Sequence, residues 1–346
     1  MAYQQRGNCL RFPRLSLALL GAAILAGFAG AAYTFRLNPE IKFWSAVAEH
    51  KLDWVEQMRE EHGYVIGIVG GSTTTFGIDA NHLHQNHHLP VANLGLHMGM
   101  GRETCVGFGM TSLQSGDTLL LSLEPHMLED DVDSSSLGTQ LALALSQPNI
   151  INWGKNNSIF SKLSLLAQLQ PGGYHLVTML GKLLLGQPPY RYTVSQMRPG
   201  GLQTTEQRNS MPMFTQSSVP KKESRLSASG RSFLLRTRAE AAKRKIQVAY
   251  LLPWAYKPSE ISQPSRASNA ALLEEIREIM PVLRESQMGV HPIPEDFADT
   301  VQHLTKDAAT RRSEVLAQTL KNQWSNINPD SKLRVDPSTS SERFPE

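Results

Sequence analysis

Cysteine is almost missing from this chain. Its 346 residues include two cysteines, Cys9 and Cys105, and Cys9 precedes a long apolar run that is expected to place the two in different compartments. A disulfide framework needs paired cysteines in one oxidising compartment, so this class of scaffold is excluded. Cys105 has no catalytic or metal-binding motif around it, and we interpret it as a small buried residue.

A strong charge of one sign is missing as well. The formal net charge is only +3, and the Lys and Arg residues, which are densest over 221–245, are not interleaved with aromatic side chains. Nucleic-acid grooves usually carry a basic stripe with such interleaving. Nucleic acid is therefore not an expected partner.

The N-terminus carries a long uncharged run. Arg6, Arg11 and Arg14 precede residues 15–35, which are rich in Leu, Ala and Gly. The run has about the length of the roughly 20 residues that span a bilayer, whereas a cleaved signal peptide usually has an apolar core of roughly 7 to 15. We predict a cytoplasmic basic segment over 1–14 and a transmembrane signal-anchor over 15–35.

A cleaved signal peptide is the alternative, because Ala29-Gly30-Ala31 is a small-residue pattern that signal peptidase accepts. Either reading leaves the arginines on the cytoplasmic side and exports the rest of the chain. The predicted location is the cell inner membrane, crossed once, with the main domain in the periplasm.

Short apolar runs alternate with helical periodicity along the rest of the chain. The predicted strands are Tyr64–Val69, Pro90–Leu94, Asp117–Glu124, Ile246–Leu252 and Met288–Ile293, and the predicted helices cover 40–61, 231–245, 269–286 and 308–320. Alternation of this kind is typical of an α/β fold with a mostly parallel sheet.

The domain boundaries follow from these elements. We predict an amphipathic linker helix over 40–61, one α/β domain over 62–325 and a polar, disordered tail over 326–346. An insertion of about 127–230 contains two apolar helical stretches, 161–169 and 174–185. The insertion is interpreted either as a lid over a substrate cleft or as a membrane-facing flap.

Three residues fit nucleophilic acyl transfer. Ser72 ends the first predicted strand in the turn Gly70-Gly71-Ser72, while Asp299 and His303 lie four residues apart near the end of the domain. A serine needs a base to take its proton, and the base needs an acceptor that fixes its tautomer. We predict that Ser72 is the nucleophile, His303 the base and Asp299 the acceptor.

These motifs resemble the SGNH/GDSL hydrolase superfamily. Gly70-Gly71-Ser72-Thr73-Thr74 is similar to its first block, and Asp299-Thr300-Val301-Gln302-His303-Leu304 to its last. With the downstream Arg311-Arg312, the setting resembles cell-envelope proteins of polysaccharide O-acetylation or D-alanylation. The resemblance implies a flavodoxin-like three-layer sandwich and a serine that attacks an ester carbonyl.

The resemblance also implies three donors to the oxyanion. They are the Ser72 amide, the Gly95 amide within Asn93-Leu94-Gly95, and a third-block asparagine. The chain departs from the pattern in two places, because Gly71 replaces the usual Asp and Glu124 stands where the asparagine belongs. A carboxylate donates no hydrogen bond unless it is protonated, so Glu124 leaves open an active, slow or inactive site.

Four further residues are candidates for substrate binding: Asn93, Arg102, Glu124 and His126. Arg102 has an alternative role in an exposed salt bridge, and Glu124 has one as the cap of a strand end. His97 is a further candidate for the cleft. The histidines at 82, 84, 87 and 88 lack a carboxylate or thiolate at fixed spacing, and we interpret them as a solvated loop, with no metal and no cofactor.

The predicted function is a membrane-tethered, extracytoplasmic serine esterase or O-acyltransferase acting on acyl groups, by expectation acetyl, of a cell-envelope or secreted polysaccharide. Expected partners are this acyl-ester substrate, the inner membrane and a membrane acyltransferase or biosynthesis complex. One alternative is a catalytically inactive SGNH-like domain that binds glycan or serves as a scaffold in an export machine. A lipid-active esterase is the other.

Overall fold

The strands form two parallel sheets. The computed structural model describes residues 11–32, 38–130, 136–153, 180–188, 190–205 and 224–327. The strands of this part are β1 (Ile66–Gly70), β2 (Val91–Asn93), β3 (Thr118–Ser122), β4 (Gln247–Leu251), β5 (Ala255–Tyr256), β6 (Val282–Leu283) and β7 (Val290–His291). The main sheet has the order β2-β1-β3-β4-β6, and β5 pairs with β7 separately.

Helices connect the strands and cover both faces of the main sheet. Those described are α1 (Arg11–Ala32), α2 (Pro39–His62), α3 (Ser72–Thr75), α4 (Ala80–His87), α5 (Gly101–Ser112), α6 (His126–Glu129), α7 (Ser136–Ala144), α8 (Asn149–Asn152), α9 (Ala228–Lys243), α10 (Ser259–Arg277) and α11 (Lys306–Ile327).

Alternating strand residues separate two hydrophobic layers. Val69, Leu121 and Tyr250 join a core with buried residues of α2, α5, α9 and α10, whereas Leu120 and Leu251 face the other way, towards α4 and α11. Successive strand side chains point to opposite faces, so strands buried on both sides need apolar residues at every position. The chain is therefore an α/β protein with a parallel central sheet between helical layers, as predicted.

The strand order fixes where a ligand would bind. The chain runs outward from β1 to β2, and then returns across β1 to β3, β4 and β6. The connection reverses between β1 and β3, and in doubly wound sheets ligands bind beyond the carboxyl ends of the strands at this point. The segments after Gly70 and Ser122 meet there.

Helix α2 differs from the predicted linker. It begins at Asn38, whose side chain accepts hydrogen bonds from the amides of Glu40 and Ile41. Its apolar face is buried in the main core, with Trp44 and Val47 fully inaccessible. The periodicity identified the helix, but a short apolar stripe does not reveal that it packs on the sheet as part of the domain.

Two predictions near the C-terminal end of the fold were wrong. Helix α10 begins at Ser259 and runs through Pro264 to Arg277, whereas the predicted helix covers 269–286; Pro264 is a residue type that usually interrupts a helix. The stretch up to residue 286 was read as helix, yet it contains β6, the fifth strand of the main sheet. The last predicted strand, β7, pairs with β5 in the small sheet instead.

The N-terminal helix α1 exposes its apolar residues. Large side chains along it are between 50% and 71% exposed: Leu15, Leu17, Leu19, Leu20, Ile24, Leu25 and Phe28. No helix in the described ranges combines the length and the apolarity of a membrane span. The predicted helix at 161–169, residues 174–179 of that at 174–185, and the tail from 328 onwards lie outside the described residues.

Candidate functional site

Ser72 lies where the sequence predicted it, directly after the central strand. Strand β1 ends at Gly70, Gly71 is extended, and Ser72 begins the single helical turn α3. A Cβ on Gly71 would overlap the carboxylate of Glu124. The glycine is therefore required by the close approach of this carboxylate to the backbone of the turn.

Glu124 holds the turn that carries Ser72. Its Oε1 accepts hydrogen bonds from the hydroxyl of Thr73 at 2.6 Å and from the Thr73 amide at 3.3 Å, and its Oε2 accepts one from the Gly71 amide at 3.2 Å. The side chain is 2% exposed. All its contacts are those of an acceptor, so Glu124 stabilises the N-terminus of the turn and does not replace the missing asparagine as a donor.

Asn93 and Gly95 form the opposite wall of the turn. The side-chain amide of Asn93 donates to the carbonyls of Thr74 (3.0 Å) and Ile78 (2.8 Å), and its Oδ1 accepts from the Gly95 amide at 3.0 Å. These bonds tie the end of β2 to the carbonyls of the segment that follows Ser72. The Gly95 amide, predicted as an oxyanion donor, is therefore engaged by Asn93 in this structure.

A buried lysine fixes Asn93 in turn. The Nζ of Lys51 donates to the carbonyl of Asn93 at 2.8 Å, to its Oδ1 at 3.1 Å and to the carbonyl of Gly201 at 2.8 Å. Burial holds the pKa of Lys51 well below its usual value. Asn93 is thus part of the scaffold, and its polar atoms have partners within the protein.

Asp299 and His303 form a close pair. Their side chains are buried, and Asp299 Oδ1 lies 2.8 Å from His303 Nδ1. Burial alone would raise the pKa of Asp299, but the hydrogen bond and charge of His303 and the hydroxyl of Tyr192 bring it below its usual value. An ionised Asp299 favours the tautomer with a proton on Nδ1, which leaves a lone pair on Nε2.

Two residues that sequence reasoning missed complete this pair. Tyr192 donates its hydroxyl to Asp299 Oδ2 at 2.7 Å, and the Arg191 guanidinium lies 3.1 Å from the same oxygen. Burial, and then the hydrogen bond to Asp299, raise the pKa of Tyr192, so the phenol stays protonated as a donor. Neither residue belongs to a recognisable motif, because their partners are distant in sequence.

Phe76 connects the serine turn with the histidine. It follows α3, donates its amide to the Ser72 carbonyl at 2.9 Å, and stacks on the His303 ring with centroids 4.0 Å apart. No hydrogen bond joins Ser72 and His303 within the part of the chain that is described. Such bonds are often long in unliganded enzymes and tighten when substrate binds.

The Ser72 amide is available for binding. Among the described residues it makes no hydrogen bond, whereas the Gly71 and Thr73 amides donate to Glu124. The backbone N–H of a nucleophile is a typical member of an oxyanion hole. Of the three donors that the SGNH/GDSL resemblance implies, the structure thus leaves only this one unoccupied.

His97 lies near His303 and faces the aromatic residue Trp44, with ring centroids 5.9 Å apart. Burial, and then the charge of His303, lower the pKa of His97. Its Nδ1 accepts a hydrogen bond from the Gly99 amide at 3.1 Å. The neutral ring therefore carries its proton on Nε2, where it is a donor.

The remaining predicted substrate contacts lie elsewhere. Arg102 was considered as an exposed ion-pair residue, but it is 4% exposed. It donates to the carbonyl of Met127 and to the hydroxyl of Ser229, both at 2.8 Å, and its guanidinium covers the Phe233 ring. It joins α5 to α6 and α9. His126 is half-buried at the start of α6, with no side-chain hydrogen bond among the described residues.

A second aspartate–histidine pair lies nearby. His291 Nε2 is 2.6 Å from Asp296 Oδ2, and its Nδ1 is 3.3 Å from Gln287 Oε1. The ring also stacks on Trp254 at 4.7 Å. Both ring nitrogens are occupied, so this pair lacks the lone pair that a general base needs.

The predicted histidine loop is a helix. Asp79 caps α4 by accepting from the His82 amide, and the helix ends at His87, with His88 in a left-handed conformation. A carboxylate that is distant in sequence reaches the cluster, since Glu314 contacts His82 and His87. No local sequence pattern indicates this partner.

The chain matches no protein-family model and no curated protein.

Proposed function

We propose that this chain is a membrane-tethered serine esterase or O-acyltransferase of SGNH type, acting outside the cytoplasm. Its substrates would be acyl esters, acetyl esters above all, of a cell-envelope polysaccharide. The fold would be the flavodoxin-like sandwich of that superfamily. Flavodoxin-like sheets have the strand order 2-1-3-4-5, and the five parallel strands of the main sheet are arranged in the same way. The polysaccharide and the envelope location rest on the motifs and on the N-terminal segment.

The observation that carries the proposal is the pair of Asp299 and His303 at 2.8 Å beside the Ser72 turn. The pair is buried, its aspartate has a lowered pKa, and Phe76 links its imidazole to the serine turn. This is the relation of acceptor and base that serine catalysis requires.

In the proposed mechanism His303 Nε2 takes the proton from Ser72 Oγ as the oxygen attacks the acyl carbonyl carbon. The bond to the leaving alcohol then breaks, and His303 returns the proton to the alcohol oxygen. Asp299, held by Tyr192 and Arg191, stabilises the imidazolium. A water or a sugar hydroxyl attacks the acyl-serine in the second half, giving hydrolysis or transfer.

The oxyanion requires donors other than Gly95 and Glu124. The Ser72 amide is one. His97 is the residue we propose as the second, since its neutral ring carries its proton on Nε2 and interacts electrostatically with His303. Removing one oxyanion donor typically lowers kcat by about a hundred- to a thousandfold, so His97→Phe is expected to reduce turnover by this order.

The test is hydrolysis of p-nitrophenyl acetate by the purified full chain, with labelling by a fluorophosphonate probe. Ser72→Ala is expected to abolish labelling and turnover, and His303→Asn to abolish turnover, while the exposed Ser195→Ala serves as a matched control. A parent chain that is folded but neither labelled nor active would reject the proposed enzyme.

A specific observation favours a second candidate, an inactive domain that binds glycan. Two of the three implied oxyanion donors are missing, because the Gly95 amide donates to Asn93 and Glu124 is an acceptor. Binding of an acetylated glycan that persists unchanged in Ser72→Ala, with no turnover in the parent, would establish this alternative.

The tether is a separate part of the proposal. It is supported by the three arginines before the apolar run and by the exposed side chains of α1. The parent chain is expected in the membrane fraction after carbonate extraction, and a chain lacking residues 1–36 in the soluble fraction. Equal distribution of the two would contradict the tether.

A further inference from the structure

Helices α4 and α11 bring two imidazoles and one carboxylate to a common point. His82 Nε2 contacts Glu314 Oε1, and His87 Nε2 lies 2.8 Å from Glu314 Oε2. The two rings are 5.8 Å apart and inclined by 66°. One potential ligand atom of each side chain lies within 4.8 Å of the others.

We propose that His82, His87 and Glu314 form a binding site for a divalent transition-metal ion, Zn²⁺ in particular. Two imidazole nitrogens and one carboxylate oxygen are a ligand set that Zn²⁺ accepts, with a water in the fourth tetrahedral position. The ion would replace the direct contacts between the histidines and Glu314. The site is independent of the proposed esterase.

The surroundings of the three ligands suit this role. The side chains are 18%, 11% and 46% exposed for His82, His87 and Glu314, so solvent reaches the site.

The second ring nitrogens are held by neighbouring residues. His82 Nδ1 is 2.7 Å from the Asn86 side-chain amide, and His87 Nδ1 is 3.4 Å from the Lys321 ammonium. An imidazole that binds metal through Nε2 carries its proton on Nδ1 and donates it to an outer acceptor, so the Asn86 amide must present its oxygen to His82 in place of its nitrogen. Lys321, however, donates to the nitrogen that must carry the proton when Nε2 binds metal, so the ammonium has to move away.

A similar cluster on the other side of α4 is a poorer site. His84 contacts Glu61 through Nε2 at 3.2 Å and His62 through Nδ1 at 3.4 Å. Ligand atoms of Glu61, His62 and His84 also lie within 4.8 Å of one another, but an ion there would bind only one nitrogen of His84 and so would replace only one of these two contacts. This difference makes His84 a matched control on the same helix.

The metal would cross-link α4 and α11, the two helices that follow the proposed catalytic residues along the chain. Helix α4 follows the Ser72 turn through Asp79, and α11 follows His303. Asp79 already links the two, since its amide donates to Ser313 Oγ at 2.8 Å and its carboxylate accepts from Thr310 at 3.1 Å. A bound ion is therefore expected to raise the unfolding temperature by several degrees.

The experiment is calorimetric titration of Zn²⁺ into the full chain, free of any purification tag and stripped with chelator. One saturable site per chain is expected, with affinity at least about tenfold weaker in His82→Asn and Glu314→Gln and unchanged in His84→Asn. Lys321→Gln should bind several-fold more tightly, because it removes the competing donor and a positive charge.

Circular dichroism checks that each variant is folded, and Co²⁺ absorption reports a nitrogen- and oxygen-ligated tetrahedral site in the parent. The proposal is overturned if no saturable binding occurs below about 100 μM Zn²⁺, or if affinity is insensitive to both His82→Asn and Glu314→Gln. It also fails if His84→Asn is the variant that loses binding, or if Lys321→Gln binds no more tightly.

Discussion

Tyr192 orients the carboxylate of Asp299, which in turn orients the proposed base, His303. Its hydroxyl donates to Asp299 Oδ2, and Asp299 Oδ1 is left for His303. A residue that acts through Asp299 in this way is a positioning residue, and its effect should be smaller than that of the nucleophile. Its place in the site follows from contact between distant segments, which a local sequence pattern does not report.

Tyr192→Phe is expected to lower esterase turnover about tenfold and stability by about 1 kcal/mol, because one hydrogen bond to a buried carboxylate is lost. The hydroxyl helps to lower the pKa of Asp299, so without it this pKa should rise. The acid limb of the plot of activity against pH should then move to higher pH. Tyr190→Phe is the control, because Tyr190 bonds with Trp44 and does not touch Asp299. Equal profiles for the two variants would contradict this role.

Glu124 offers a second test at this scale, this time of stability. Glu124→Gln keeps the size of the side chain but places an NH₂ group against a backbone N–H of the turn, so at least one acceptor is lost. The expected loss is about 1 to 3 kcal/mol in the free energy of unfolding, measured with urea. Glu278→Gln, at an exposed ion pair with Arg231, should change stability by less than about 1 kcal/mol.

At the scale of elements, the turn after β1 is held between two walls. Gly95 approaches this turn so closely that a Cβ would lie 2.5 Å from the Thr75 amide nitrogen. That atom belongs to backbone, which cannot rotate away as the end of a side chain can.

Gly95→Ala is therefore expected to destabilise the fold by about 1 to 3 kcal/mol, the usual range for overpacking. It should also displace Ser72, so esterase turnover should fall even under conditions in which the variant is fully folded. Gly27→Ala, where nothing lies within 4 Å, is the matched control and should be neutral. A stable and fully active Gly95→Ala chain would show that the two walls can separate.

The agreement between predicted and observed elements depends on their length and burial. Strands β1, β2, β3 and β4 lay within the predicted runs, give or take a residue, because strands buried on both faces are continuously apolar. Strand β6 has only two residues, too few to display a period. Helix α10 contains Pro264, a residue that usually interrupts a helix, and it buries Leu272 and Ile276 in the main core.

At the scale of the molecule, several carboxylates share a response to pH. Asp299, Glu275 and Glu314 all have pKa values lowered by hydrogen bonds and charges, which outweigh the opposing effect of burial. Their folded values lie below the unfolded ones, so the unfolded chain binds more protons in acid. The stability they supply is present at neutral pH and is lost as the pH falls below about 5.

Urea unfolding at pH 7, 5, 4 and 3 tests this expectation. The free energy of unfolding should fall across the series for the parent, and less steeply for Asp299→Asn, which has one fewer carboxylate to protonate. Asp307→Asn, at the exposed start of α11, should keep the slope of the parent. Parallel curves for the parent and Asp299→Asn would exclude Asp299 from the acid response.

Sequence separation decided how much of the candidate site could be predicted. Ser72 follows a strong strand signal, and Asp299 and His303 are close enough in sequence to be recognised as a pair. The hydrogen bonds of Arg102 and Glu124 depend on elements far away, and their roles as substrate contacts stay predictions. The histidines of α4 were read without Glu314, which lies 227 residues from His87.

The residues of the candidate site are far apart in sequence, and this separation affects the stage of folding at which the site forms. Tyr192 reaches Asp299 across 107 residues, and parallel strands pair only through long crossovers. Such contacts close late in folding. During synthesis from the N-terminus, the serine turn can form long before its base exists, so a growing chain would carry Ser72 unactivated until its last helices dock.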